Sequence, residues 1–264
     1  MTDKLTERLE AKETTSIGFT DPGLETCAQI AGSNQWVVDA FTTPGLGCHL
    51  LSFPHHGVKA GGDIHYVTVC GYRMKSKFLL INARGLGQAA TQLSTRLLAP
   101  LGRLAGKPDN QSILSEINTL IYHADYLPAL ATVAAATFND AESTWTYACA
   151  GHPNMLIRRN GNWSELRAEG NNTLPVGMLR ESGYYQTTTT LQPGDWVMMY
   201  SNGVLNAVSP GKASHALASL LELASSVDAS TTKAFFPEFT QRLVDINHGA
   251  DFNDDLTLIL IDRK

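Results

Sequence analysis

The stretch "ATVAAATFNDAESTWTYACAGHPNMLIRRNGNWSELR" (131–167) decides how this chain is read. Short apolar and β-branched runs alternate in it with polar breaks rich in Asn, Asp and Gly, the pattern of strands joined by turns. Asn160 and Gly161 stand between "MLIRR" and "WSELR". Both central residues of a tight hairpin turn must accept positive φ, and Asn-Gly does so most readily. The segment therefore predicts a β meander with antiparallel pairing.

Outward from it, "HYVTVCGYRMKSKFLLIN" (65–82) reads as two strands around a turn at 71–77, preceded by strand-like runs "WVVDAF" (36–41) and "CHLLSF" (48–53). Two consecutive helices follow in "GQAATQLSTRLLAPLGRLAG" (87–106) and "NQSILSEINTLIYHADYL" (110–127), where Ile113, Ile117, Leu120 and Ile121 recur at three- and four-residue spacing. Beyond the meander come a strand ending in "QPGD" (192–195), the run "WVMMYSNG" (196–203), helices around 213–225 and 233–247, and a closing strand in "DDLTLILIDRK" (254–264). Strands outnumber helices, and the helices arrive in adjacent pairs. That favours an α+β sandwich over a parallel βαβ fold. The first 15 residues read as a frayed or helical leader.

Composition narrows the function classes. A chain of 264 residues with 43% hydrophobic residues has room for a real core in one large domain. Its net charge of -5, with no block of Lys or Arg, argues against a nucleic-acid or anionic-membrane surface. The charged N-terminus lacks the apolar stretch of a secretion signal, and "LPALATVAAATF" (127–138) is too short to span a bilayer, so a cytoplasmic protein is expected. Cys27, Cys48, Cys70 and Cys149 form no C-x-x-C pair and read as reduced core thiols.

Polar residues close several apolar runs: Asp63 after "AGG", Asn82 after "FLLI", Asn202 after "VMMYS", and Asp254 with Asp255 before "LTLILI". Carboxylates gathered at strand ends suit hard cations such as Mg²⁺ or Mn²⁺. By spacing alone they also read as turn residues capping buried strands.

The ordered blocks "AGGD" (60–63), "INARGLGQAA" (81–90), "AGHPNMLIRRNGNWSEL" (150–166), "LPVG" (174–177), "LQPGDWVMMYSNG" (191–203) and "DDLTLILI" (254–261) resemble the stage-II-sporulation-E and sigma-regulator branch of the PPM (PP2C-type) serine/threonine protein phosphatases, over about residues 55–264. The resemblance implies a PPM-type αββα sandwich, two antiparallel sheets flanked by helices, as one domain over 1–264. It also implies a Mn²⁺ or Mg²⁺ pair that activates water against phosphoserine or phosphothreonine. Asp63 and Asp254 keep the family's metal-binding aspartates, whereas Asn82, Ala83 and Asn202 fall at substituted ligand positions. The second Asp of the family's GGD-x-x-D falls on Tyr66, and Asp255 occupies a position less directly tied to metal.

An amide oxygen brings no negative charge to offset two mutually repelling divalent ions, and an amide is no general base at neutral pH. The expectation is a catalytically impaired phosphatase of bacterial phospho-signalling, with weak or absent metal binding. It would act by binding a regulator such as an anti-sigma-factor antagonist, phosphorylated or not. The alternative is an active phosphatase with a single metal, or with a ligand drawn from elsewhere such as Asp251.

Other residues near these blocks read as follows. Arg84, where the family usually has a small residue, binds a phosphate, fills space vacated by metal, or simply faces solvent. "GLG" (85–87) offers backbone donors to an anion, and in the family it is the tight turn beside the metals. His152 is expected to stabilise its own turn. His49, His55, His56 and His65 lack the i, i+4 spacing of a helical metal site and read as packed or solvated.

Overall fold

The computed structural model describes residues 27–55, 58–70, 74–84, 88–123, 130–167, 174–247 and 252–264. The expected leader, His56, the turn residues 71–73, the "GLG" at 85–87 and Asp251 lie outside the described residues.

Two six-stranded antiparallel sheets face each other. The first runs β1 (Cys27–Gln35), β4 (Ala60–Cys70), β5 (Lys75–Arg84), β6 (Leu130–Asn139), β7 (Thr144–Ala150), β10 (Thr187–Thr190). The second runs β2 (Val37–Thr43), β3 (Leu46–Phe53), β12 (Leu256–Arg263), β11 (Trp196–Tyr200), β8 (Met155–Arg159), β9 (Asn162–Leu166). Helices α1 (Gln88–Ala105) and α2 (Asn110–Tyr122) cover the outer face of the first sheet. Helices α3 (Asn202–Val208), α4 (Ala216–Ser226) and α5 (Thr232–Ile246) cover that of the second. No helix among the described residues is long and apolar enough to cross a membrane.

The central strands are apolar on both sides because both sides are buried. In β5, Phe78 and Leu80 enter the core between the sheets, with Val67, Trp145, Met199 and Ile259, while Leu79, Ile81 and Ala83 pack under α1 and α2. In β12, Leu258 and Leu260 turn outward to meet Phe235, Phe239 and Leu243 of α5. This strict alternation fixes register, since a one-residue slip would exchange the two faces. It also fixes which polar residues reach the end of the inter-sheet space: Asp63 and Asn82 are directly opposite each other in β4 and β5 and follow the inward set.

The expected meander is two hairpins in different sheets. β6 pairs with β7, and β8 with β9, but β8's other neighbour is β11, so "GHPN" carries the chain from one sheet to the other. Gly151 (φ 61°) makes that departure, and the ring of Pro175 occupies the place where a Cβ would project. Asn160 (φ 51°) and Gly161 (φ 82°) form the anticipated tight turn. Two elements have no clear sequence signal. β1, "CAQIAGSNQ", is a polar edge strand with two register shifts against β4. α3 is seven residues long and begins at once after β11.

A buried amide ties the segment after residue 173 to α2, beside the Val176–Ala131 backbone pair. Asn118 of α2 donates to the carbonyls of Leu179 (3.0 Å) and Arg180 (3.2 Å) and accepts from the Gly177 amide (2.8 Å) and the Tyr184 hydroxyl (3.1 Å). Truncating it leaves the buried Tyr184 hydroxyl and three partly buried backbone groups without this partner. We expect Asn118→Ala to lower unfolding stability by about 3 kcal/mol and to expose residues 177–184 to proteolysis. Urea denaturation with limited digestion checks this, and an unchanged midpoint would remove the assigned role.

Candidate active site

The motif residues meet at one end of the space between the sheets. Asp63 is 3% exposed and faces the second sheet, with Asn82 beside it on β5 and Thr132 beyond that on β6. Neither oxygen of the Asp63 carboxylate has a hydrogen-bond partner. The hydroxyls of Ser201 and Thr257 face it from the opposite sheet and work against the shift in its pKa, yet both are committed elsewhere. Ser201 Oγ donates to the Asp255 carbonyl (3.3 Å), and Thr257 Oγ1 bonds Ser52 Oγ (3.2 Å). Burial first, then the negative charges of Asp255 and Asp254, push the Asp63 pKa well above the usual carboxylate range.

Asn202 is the first residue of α3, and its buried Nδ2 also lacks a partner. Asp254 is half-buried. Its Oδ2 accepts from Asn206 Nδ2 and its Oδ1 from the Asp255 amide, both at 2.9 Å. Burial raises its pKa, while Arg84 acts in the other direction. The Ala83 methyl and the Tyr66 ring point the opposite way, into the core beneath α1. Only the carbonyl of Ala83 is left for a cation, and Tyr66 stands on the wrong face to join Asp63.

Asp255 has a different task. Its Oδ1 accepts from the His55 amide (2.8 Å) and from His55 Nδ1 (3.0 Å), and its Oδ2 accepts from the Gly62 amide. This carboxylate lies where side chains of Gly61 and Gly62 would project, 2.5 Å from an added Cβ at Gly61. At Gly203 an added Cβ would fall 1.9 Å from the Asp255 carbonyl oxygen. These three glycines exist for close approach, not for a turn. The clamp escaped sequence reading because its partners are some 200 residues apart; the doubled glycine before Asp63 was the available signal.

His152 does more than hold its own turn. Its Nε2 donates to the Tyr200 carbonyl (3.2 Å) and its Nδ1 accepts from Thr132 Oγ1 (2.9 Å), so it braces the two sheets. Burial depresses its pKa to about 4, which keeps the ring neutral, and the Tyr200 carbonyl, which can only accept, puts the proton on Nε2. The remaining histidines scatter. His49 stacks on Phe236, His55 belongs to the clamp, and His65 is buried with its pKa lowered to about 4. Cys48 and Cys149 are buried free thiols, and burial holds Cys149 up to about 12. Among the described residues, no group of three or more His, Cys, Asp or Glu side chains is arranged to hold a metal ion.

Two facing antiparallel sheets, helices on both outer faces and an acidic motif cluster at one end define a PP2C-type fold. The family model for stage II sporulation protein E (SpoIIE) matches residues 75–264, and the chain belongs to this family of PP2C-type phosphatases of bacterial signalling. Solved structures agree on the fold. The PP2C phosphatase domain of SpoIIE from Bacillus subtilis, with a fragment of its regulatory domain, superposes with a TM-score of 0.71 at 15% identity, covering 82% of this chain and 63% of that one. The RsbU and RsbW domains of a Mycobacterium tuberculosis protein give 0.70 at 18% identity, covering 88% and 63%. RsbX in complex with magnesium gives 0.62 at 15% identity, covering 86% and 100%. This chain thus spans 63% of the length of each of the first two. None of the curated proteins matches it.

The Asp63 environment has a signed consequence. Its folded pKa lies above the ordinary 3.8, so between those values the folded state binds more protons and stability falls as pH rises. Asp63→Asn removes that slope. In metal-free buffer the variant should match the wild type near about pH 4 and gain in melting temperature over it toward neutral pH. A pH-independent difference would show that Asp63 is not held against ionisation.

Proposed function

We infer that this chain is a phosphatase-fold protein of bacterial phospho-signalling whose own catalysis is impaired and which works by binding a regulatory partner. The carrying observation is the state of the ligand positions. Asp63 offers a carboxylate without hydrogen bonds, Asp254 shares its oxygens with Asn206 and a backbone amide, and Asn82 and Asn202 put neutral amides where carboxylates would bring charge. Such a set does not fit a pair of divalent cations. Two-metal hydrolysis needs carboxylates that offset both ions and a metal-bound water of lowered pKa. No hydrolytic step is therefore assigned to these residues.

The partner reading draws on the family. The resemblance implies an anti-sigma-factor antagonist or a similar switch protein, and one structural relative carries an RsbW domain beside its RsbU domain. A cytoplasmic setting and a single phosphatase-type unit belong to the same reading. Weak or absent binding of Mn²⁺ or Mg²⁺ is part of it as well, in contrast to RsbX, whose structure contains magnesium.

The test is phosphatase activity over a Mn²⁺ titration, with one aryl phosphate and one phosphoserine peptide as substrates. The unmodified chain should be silent, and the Asn82→Asp, Asn202→Asp double variant should gain Mn²⁺-dependent turnover. Turnover by the unmodified chain would replace this reading with that of an active phosphatase using an unusual or single-metal site.

A further inference from the structure

The clamp that needs a glycine at 203 also leaves a reactive pair in the chain. An added Cβ at Gly203 would fall 1.9 Å from the Asp255 carbonyl oxygen and 2.7 Å from its carbon, so no other residue fits there. The residue before it is Asn202. Attack of a backbone nitrogen on the side-chain carbonyl carbon of the preceding Asn closes a five-membered ring, and glycine brings no Cβ to hinder it. An Asn-Gly pair thus stands at one of the substituted ligand positions.

Among the described residues, no hydrogen bond holds the two nitrogens that would react. Asn202 Nδ2, the leaving nitrogen, is buried without a partner. Amides elsewhere in the fold are tied down: Asn118 Nδ2 donates to two carbonyls, and Asn247 Nδ2 donates to those of Ala207 and Leu243. The Gly203 amide, the attacking nitrogen, lies in the first turn of α3, where an intrahelical acceptor is lacking. A capping side chain commonly accepts from that position. Here the N-cap is Ser201, whose hydroxyl instead accepts from the Thr257 amide (3.0 Å) and donates to the Asp255 carbonyl (3.3 Å). No other acceptor takes the Gly203 amide among the described residues. α3 is seven residues long, and a short helix opens most readily at its ends. Ring closure requires an opening of that kind at Asn202.

We propose that Asn202 is a self-deamidation site. The Gly203 nitrogen attacks Asn202 Cγ, the Cγ–Nδ2 bond breaks, and the Gly203 amide proton leaves with Nδ2 as ammonia. Water then opens the cyclic imide. Cleavage at Cγ gives aspartate, with the water oxygen on the side chain and a proton returned to the Gly203 nitrogen. Cleavage at the main-chain carbonyl carbon gives isoaspartate, whose backbone is longer by one methylene and would shift Gly203 against the Asp255 carbonyl. The close packing of Gly203 therefore favours aspartate. That product adds a carboxylate to the set formed by Asp63 and Asp254, a consequence that rests on the reading of the site as short of ligands.

Peptide mass spectrometry of the full chain tests it. The folded wild type is kept in warm, mildly alkaline buffer made with heavy-oxygen water, beside the wild type in urea and folded Asn202→Gln, and each is sampled over days. In the folded wild type, residue 202 should become an acid carrying one heavy oxygen, within about tenfold of its rate in urea. Its aspartate share should exceed that of the unfolded chain, and Asn202→Gln should keep its amide. The aged wild type should retain more Mn²⁺ than the fresh chain, whereas aging should change nothing in Asn202→Gln. An amide still intact at 202 in the folded chain when the urea sample has converted would overturn the proposal. So would the unfolded chain's isoaspartate share, which would assign the reaction to unfolded molecules. Conversion with unchanged Mn²⁺ retention would uphold the modification and overturn its consequence for the site.

Discussion

One carboxylate holds the working end of the sandwich together. Asp255 immediately precedes β12, grips His55 just beyond β3, and takes the amide of Gly62 in the first sheet. Its own carbonyl receives Ser201 and lies flat against Gly203. Breaking a buried, charge-assisted set of this kind leaves polar groups unpaired in a poorly solvated place. The glycines at 61, 62 and 203 and the hydroxyl at 201 are consequences of that clamp, since each must let Asp255 come close.

The clamp separates two properties that travel together in an active enzyme of this fold. The residues that shape the site, Gly61, Gly62, Gly203, Asp255 and the bracing His152, are all in place and in contact. So is Asp195 of "PGD", 3% exposed and held by the Arg159 fork at 2.6–3.2 Å. The positions that would carry anionic ligands are the ones that changed, to Asn82 and Asn202. This end of the sandwich is closed by hydrogen bonds between protein groups. On the proposed reading, a site preserved in shape and poor in charge serves recognition and not turnover.

Much of the sandwich was legible because its information is local. Alternation in β5 and β12, helical spacing in α2 and the Asn160-Gly161 turn each declare themselves within a few residues. Sheet membership is not local, which is why the meander was read as one sheet when β8 in fact pairs with β11. β1 went unseen because an edge strand bonded along one side needs no apolar alternation, and α3 because seven residues after a strand carry too little periodicity. At the site, the ordered motifs named Asp63, Asn82, Asn202 and Asp254 and set Asp255 apart as less directly tied to metal, but they did not reveal the task of Asp255. Only the contacts across some 200 residues show that Asp255 is a clamp.

The central claim is that the family's metal positions survive here as shape without the charge to hold two ions. Equilibrium dialysis of the unmodified chain against millimolar Mn²⁺, with bound ion counted by electron paramagnetic resonance, tests it most directly. The account predicts less than one ion retained per chain and no spin coupling between neighbouring ions. Two ions per chain, bound saturably and close enough to couple, would contradict it.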